Sequence, residues 1–259
     1  MTDADADVAR RLRTDEVVML GRMPWSSNAT FLVELRDCPD GPERERRAEA
    51  EDPPQRRSVL ELDDGLKAIY KPHRGERPLW DFPGGLYKRE IAAYELAVAL
   101  GWDCVPITVE RDGPLGVGSL QRFVVADFEE HYFTLYEDES FHPQLMRLCA
   151  FDLVSNNTDR KGGHVLVDAH RHLWGIDHGL SFHAEFKLRT VIWEFAGEPL
   201  PSELADDLDR LLADDLPDPL ADLLDPFERD ALRTRARALL SEGCFPADPT
   251  GRRYPWPLV

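Results

Sequence analysis

FDLVSNNTDRKGGHVLV, Phe151–Val167, sets a polar loop with one carboxylate, two cations, two glycines and a histidine (Asn156–His164) between two apolar runs. The residues before it, from HPQL onward, have the pattern of a helix. The residues after it give two short strands, HVLVD and HLWGID, joined by the turn DAHRH. Strands joined by so tight a turn are neighbours, so the loops at their outer ends converge and bring Asp159 near Asp177. One carboxylate there can orient or deprotonate a hydroxyl nucleophile while the other holds Mg2+ against phosphate oxygens. The competing reading is a pair of turn aspartates accepting backbone N–H groups. Lys161 can neutralise a phosphoryl group in flight, and His164 can meet a metal or a phosphate chain. Asn156 and Asn157 have the chemistry to brace the loop through side-chain to backbone bonds.

Upstream of this loop the pattern is different. VVMLG, FLVEL, AIYKP, VPITVER and GVGSLQRFV read as strands, with one helix at YKREIAAYELAVAL that Gly101 stops. Downstream, TVIWEF and the Leu/Asp-rich segment from Pro201 read as helical, broken by prolines at 217, 219 and 226. The expectation is an α+β chain in two lobes. A flexible N-terminus (1–16) precedes an antiparallel-sheet N-lobe (17–124) with a disordered Pro/Glu/Arg-rich insertion (37–57), and a mainly helical C-lobe follows (125–259).

A chain of 259 residues is large enough for a full core, and its four cysteines, Cys38, Cys104, Cys149 and Cys244, form no CxxC pair. The acidic start has no signal-peptide core, and no apolar run nears the roughly 18 residues that span a membrane. These features predict a cytoplasmic protein. A formal charge of −18 repels nucleic acid and anionic membrane.

Two further groups face the expected cleft. Lys71, at the end of LKAIYKP, can reach phosphates if a carboxylate positions it, and Glu90 on the next helix is the first candidate, with Glu95 its competitor. The turn GRMPWSSNAT offers Gly21, Ser26, Ser27 and Asn28 as phosphate contacts, although it is not a GxxxxGK loop. The strand SLQRFV offers backbone groups to a purine edge.

SSNATFLVEL, AIYKPHRGERPLWDFPGGLYKREIAAYEL, LGWDCVPITVERDGPLGVGSLQRFV and FDLVSNNTDRKGGH with GIDHGLSFH together resemble the atypical branch of the protein-kinase-like superfamily. They are similar to its HipA-like members and, more closely, to an actinobacterial phosphatidylinositol 3- and 4-kinase-like family. The resemblance implies a bilobal kinase-like fold that uses ATP and Mg2+. It makes Asp159 the catalytic-loop aspartate, Lys161 the catalytic-loop lysine, and Asp177, written IDHG, the metal-binding aspartate. Lys71 becomes the phosphate lysine and Glu90 its helix partner. Gly21 to Asn28 match the nucleotide-covering loop, and Gln121, Arg122 and Phe123 match the hinge. His164 stands where most kinases carry an asparagine for a second metal.

The implied activity is phosphoryl transfer to a hydroxyl acceptor. Arg44, Arg46, Arg47, Arg56 and Arg57 are interleaved with acids, so a basic membrane-facing surface is lacking and a protein or small-molecule acceptor fits better than a lipid. A nucleotide-binding sensor that engages a protein partner, or an AMP transferase, are the alternatives.

Overall fold

The computed structural model describes residues 2–24, 28–37 and 65–259. The expected insertion at 37–57 therefore lies, except for Asp37, outside the described residues, as do Ser26 and Ser27. By its contacts the chain divides into two compact units, 1–79 with 107–123 and 80–106 with 124–259.

The first unit opens with helix α1 (Asp3–Thr14), not with the frayed tail expected for residues 1–16. Thr2 and Asp5 form a reciprocal capping box, Ala9 and Leu12 are buried, and the Arg11 guanidinium meets the buried Asp15 at 2.8 Å. The helix packs on strands β4 and β5 of an antiparallel sheet. That sheet comprises β1 (Glu16–Arg22), β2 (Phe31–Arg36), β3 (Leu66–Pro72), β4 (Thr108–Gly113) and β5 (Gly116–Arg122), in the order β1-β2-β3-β5-β4. In β3 the alternation is clean: Ala68, Tyr70 and Pro72 are buried, while Lys67, Ile69 and Lys71 share the other face and are half-buried. Lys71 pairs with Ser119 of the neighbouring strand. A register shift between Met19 and Gly21 bends β1.

The second unit contains helix α2 (Leu86–Leu100), which a boundary at residue 124 groups with the sheet but whose apolar residues join the helical core. It is buried on most sides, because Ala92, Ala93 and Ala97 admit close neighbours, and Val98 is exposed instead of facing the core. Gly85 and Gly101 end it in left-handed conformations, φ 87° and 73°. After α3 (Tyr132–Tyr136) comes α4 (His142–Ser155), which packs against the long α7 (Pro226–Glu242). The hairpin of β6 (Val165–Val167) and β7 (Leu173–Gly175) follows α4, and α5 (Ser202–Ala213) and α6 (Asp218–Ala221) lie against α2. Prolines 217 and 226 separate the three last helices, as the sequence suggests.

TVIWEF is a correction: Thr190–Phe195 is irregular, not helical. Val191, Ile192 and Phe195 are buried, and the backbone is tied outside the segment: the Val191 N–H is donated to the Arg160 carbonyl and the Thr190 N–H to the Arg253 carbonyl, in place of a helical pattern. Among the described residues, no helix is long and apolar enough to cross a membrane.

Candidate active site

The loop after α4 is built on a buried ion pair. Asp152, in the last turn of α4, and Arg160 are both fully buried and meet at 2.9 Å. The Arg160 Nε also donates to both Asp152 oxygens, at 3.1 and 3.0 Å. Its Nη1 donates to the carbonyls of His164 (3.1 Å) and Ile176 (2.7 Å), and its Nη2 to Nε2 of His178 (2.7 Å). All five guanidinium N–H groups are thus engaged, the condition under which a buried arginine is tolerated. The remaining Asp152 capacity takes Asn157 Nδ2 at 3.1 Å and the Thr190 hydroxyl at 3.2 Å.

This hub fixes the two acids by their neighbours. Asn157 Oδ1 accepts the backbone N–H of Asp159 at 3.0 Å, and Arg160 follows Asp159 directly. Ile176 and His178, both held by Arg160, flank Asp177. The hairpin register pairs Val165 with Gly175, and Ile176 N–H donates to the His164 carbonyl at 3.0 Å, so His164 and Asp177 leave the sheet side by side. Asp177 turns out of the strand at φ 59°, a left-handed conformation that aspartate tolerates better than most residues. Asn156 does the same at φ 56°, ending α4, while its side chain bonds the backbone at His183, Glu185 and Lys187.

At the surface of this frame, Lys161 Nζ stands 3.0 Å from Asp159 Oδ2, with side-chain exposures of 22% and 30%. His164 Nε2 stands 3.5 Å from Asp177 Oδ2, and Asp177 is half-exposed. Burial raises the Asp159 carboxyl above its ordinary range; the Lys161 ammonium opposes this, and the charge of Asp177 adds to it. The two acids therefore sense one another. Glu90 is buried, and its Oε2 accepts the His178 backbone N–H at 3.0 Å, tying helix α2 to the residues just after Asp177.

The second unit thus gathers Asp159, Lys161, His164, Asp177 and Glu90. The other candidates lie in the sheet unit. Gly21 is on β1 with open space where a side chain would be. Asn28 Oδ1 accepts the Arg77 N–H at 3.0 Å, and Gln121 Nε2 donates to the Thr108 hydroxyl at 2.9 Å. The N–H groups of Arg122 and Phe123 are already donated, to Ile107 and Lys67. A cavity of about 660 Å3, lined by Val125, Leu135, Phe141, Val167, Asp168 and Arg171 among others, opens at the turn end of the hairpin and contains neither acid.

Among the described residues, no three His, Cys, Asp or Glu side chains are grouped to hold a metal by themselves. The donors present fit a Mg2+ ion that takes one or two carboxylates from protein and the rest from phosphate and water. Sequence reasoning assigned no part to Asp152, Arg160, His178 or Thr190. The available signal was Asp152, a charge in the otherwise apolar end of its helix, which demands a partner.

The described architecture, an antiparallel sheet unit followed by a helical unit with a loop-and-hairpin site, is that of the protein-kinase-like fold. Solved structures that share it include the Golgi casein kinase (TM-score 0.52, 14% identity, covering 98% of this chain and 78% of that one). The same kinase with Mn/ADP bound matches at 0.52 and 14%, over 100% of this chain and 81% of that one. Hydra Fam20 with sugar matches at 0.53 and 14%, over 93% and 89%. At such identity the likeness establishes the fold. No protein-family model matches the chain. The chain belongs to the family of the Mycobacterium tuberculosis protein Rv2133c, to which it is 37% identical over 284 aligned positions, 95% of this chain and 93% of that protein.

Proposed function

We infer that the chain is an atypical kinase, an ATP- and Mg2+-dependent phosphotransferase acting on a hydroxyl acceptor. The observation that carries this reading is the fixing of Asp159 and Asp177 through one buried arginine, which bonds to the residues flanking Asp177 and directly follows Asp159. Turn aspartates of purely structural use accept backbone N–H groups. Asp159 presents its carboxylate beside Lys161, and Asp177 presents its own beside His164. Nucleotide and divalent metal in the Golgi casein kinase, which has the same fold, support ATP and a divalent ion as cofactors.

In this assignment Asp159, whose raised carboxyl binds a proton more readily than a surface aspartate does, accepts the hydrogen bond of the acceptor hydroxyl. Lys161 balances charge on the transferred phosphoryl group. Asp177, with His164 beside it, presents an oxygen to Mg2+. Glu90 orients the residues after Asp177 and is the partner assigned to Lys71, which would contact the nucleotide phosphates. Gly21, Ser26, Ser27 and Asn28 would cover the phosphates. At the Gln121–Phe123 hinge the backbone would meet a purine edge. The finer kinship, with phosphatidylinositol 3- and 4-kinase-like and HipA-like proteins, remains part of this proposal, with a protein or small-molecule acceptor favoured over lipid.

The test is transfer of the γ-phosphate of ATP to a broad acceptor set, with and without Mg2+, by wild type and Asp159→Asn. Transfer by wild type alone is expected; indistinguishable traces would remove catalysis. One observation favours a second reading, a nucleotide-binding sensor: His164 pairs with Asp177 where an asparagine would hold a second metal. ATP binding without any product would select it. An AMP adduct on the acceptor would select AMP transfer.

A further inference from the structure

The double glycine of NNTDRKGGH has no role in the assignment above, and the structure places the end of the described chain against it. The Gly162 N–H donates to the Leu258 carbonyl at 2.6 Å. A Cβ at Gly162 would lie 3.2 Å from the Phe133 ring and 3.3 Å from the Val259 side chain, and one at Gly163 would lie 3.8 Å from Val259. At these distances a side chain at Gly162 would press on Phe133 and Val259 by a few tenths of an ångström, so glycine gives this segment its closest seat on the loop.

The same segment is anchored a second time. The Arg253 carbonyl accepts the Thr190 N–H at 3.1 Å and Trp193 Nε1 at 3.2 Å, and the Arg253 guanidinium lies over the Phe186 ring at 4.9 Å. Asp248 fixes this turn by accepting the Arg253 N–H at 2.8 Å. Thr190 in turn bridges to Arg160 and donates its hydroxyl to Asp152. Both anchor points therefore reach the hub that positions Asp159, one through Gly162 and one through Thr190.

We propose that residues 248–259 form a strap that sets the conformation of the Asp159–His164 loop, with Gly162, Gly163 and Arg253 as positioning residues. The strap reaches Asp159 and Lys161 through Gly162 and Thr190, and in this assignment it touches neither acceptor nor nucleotide. Its effect is on the geometry of the loop. Trp256 is 86% exposed and Val259 57%, while Pro255 is buried and the Tyr254 ring lies 6.5 Å from that of Trp193, so the part beyond Pro255 is held by the Gly162 contact and can be lifted while Tyr254 and Pro255 stay in place. Lifting it is then a way to lower activity without unfolding the unit. The functional half of the proposal rests on the phosphotransferase reading; the structural half does not.

The experiment compares backbone amide exchange in the full chain, in a chain ending at Arg253, and in full-length Gly162→Ala. Amides within α4 serve as the internal reference. Removal of Tyr254–Val259 is expected to speed Gly162 exchange at least about tenfold and also to speed Arg160 and His164, with α4 unchanged. Unchanged rates, or acceleration confined to Gly162, would overturn the proposal, because the segment would then merely cover one amide. If truncation also loosens α4, Gly162→Ala decides by the same criterion. In parallel, kcat for ATP hydrolysis should fall about ten- to a hundredfold on truncation while KM for ATP stays within about twofold. An unchanged kcat would overturn the functional half. If the full chain neither hydrolyses nor binds ATP, the phosphotransferase reading fails, and amide exchange still decides the strap.

Discussion

Replacing Arg160 by methionine removes a fully buried guanidinium whose five N–H groups serve a carboxylate, two backbone carbonyls and an imidazole. Breaking one side of a buried ion pair costs about 3–5 kcal/mol, because the other charge is left without compensation. The Ile176 carbonyl also loses the Arg160 donor and the His164 carbonyl one of two donors, each normally a net loss of about 1 kcal/mol. These losses are not additive, and about 4–6 kcal/mol is the expected total, close to the whole stability of many domains at about 5–15 kcal/mol. Asp152→Asn should cost nearly as much by stranding Arg160. The double variant, with neither charge, should recover at least about 2 kcal/mol relative to the sum of the singles. With its oxygen toward the Asn157 amide, asparagine meets the Thr190 hydroxyl with an NH2, and because this change is common to Asp152→Asn and the double variant it cancels in the cycle, which isolates the charge pair. Urea denaturation of all four proteins measures this. An Arg160→Met variant within about 1 kcal/mol of wild type, or strictly additive singles, would refute the view that this pair organises the loop.

The raised carboxyl of Asp159 gives a pH prediction with a defined sign. A folded pKa above the unfolded one means that ionisation is disfavoured in the native state, so Asp159 lowers stability progressively as pH rises from the ordinary aspartate value through its folded pKa, and has no such effect where it is protonated in both states. Asp159→Asn should therefore be as stable as wild type or more so at pH 7–8, with the difference fading as pH falls toward the ordinary aspartate value; a variant less stable at pH 8 than at pH 4, relative to wild type, would contradict it. Leu12→Ala should cost about 2–4 kcal/mol, since the side chain is fully buried, and a loss under about 0.5 kcal/mol in thermal unfolding would return residues 3–14 to the status of a loose tail.

The parts legible in the sequence were those with a strong period or a distinctive turn. The strands of the sheet, the helix ended by Gly101, and the loop between α4 and the β6–β7 hairpin all follow from apolar spacing and from glycine or asparagine at the stops. Helix α1 was hidden because only Ala9 and Leu12 mark its buried side among many charges; the Thr2–Asp5 capping box was its one local sign. Thr190–Phe195 misled in the opposite direction, since a short, mostly apolar run carries no period that separates helix from irregular chain. Around the acids, the sequence exposed the groups that face solvent and concealed those beneath. Arg160 looked like one more loop cation, and only its position in space, with Asp152 eight residues earlier in the chain, reveals it as the support. Gly162 and Gly163 received no role from the sequence, whereas in the structure Gly162 lies against Phe133 and Val259.

The central claim, that Asp177 and Asp159 divide metal binding and acceptor chemistry between them, is tested most directly by one melting-temperature matrix. Wild type, Asp177→Asn and Asp159→Asn are each heated alone, with ATP, with Mg2+, and with both. A lone carboxylate is a weak Mg2+ site until phosphates complete it, and stabilisation follows ligand affinity by mass action. The account predicts a larger shift for wild type with ATP and Mg2+ together than with either alone, loss of that synergy in Asp177→Asn, and its retention in Asp159→Asn. Equal shifts for wild type and Asp177→Asn would contradict it and leave Asp177 an ordinary turn aspartate.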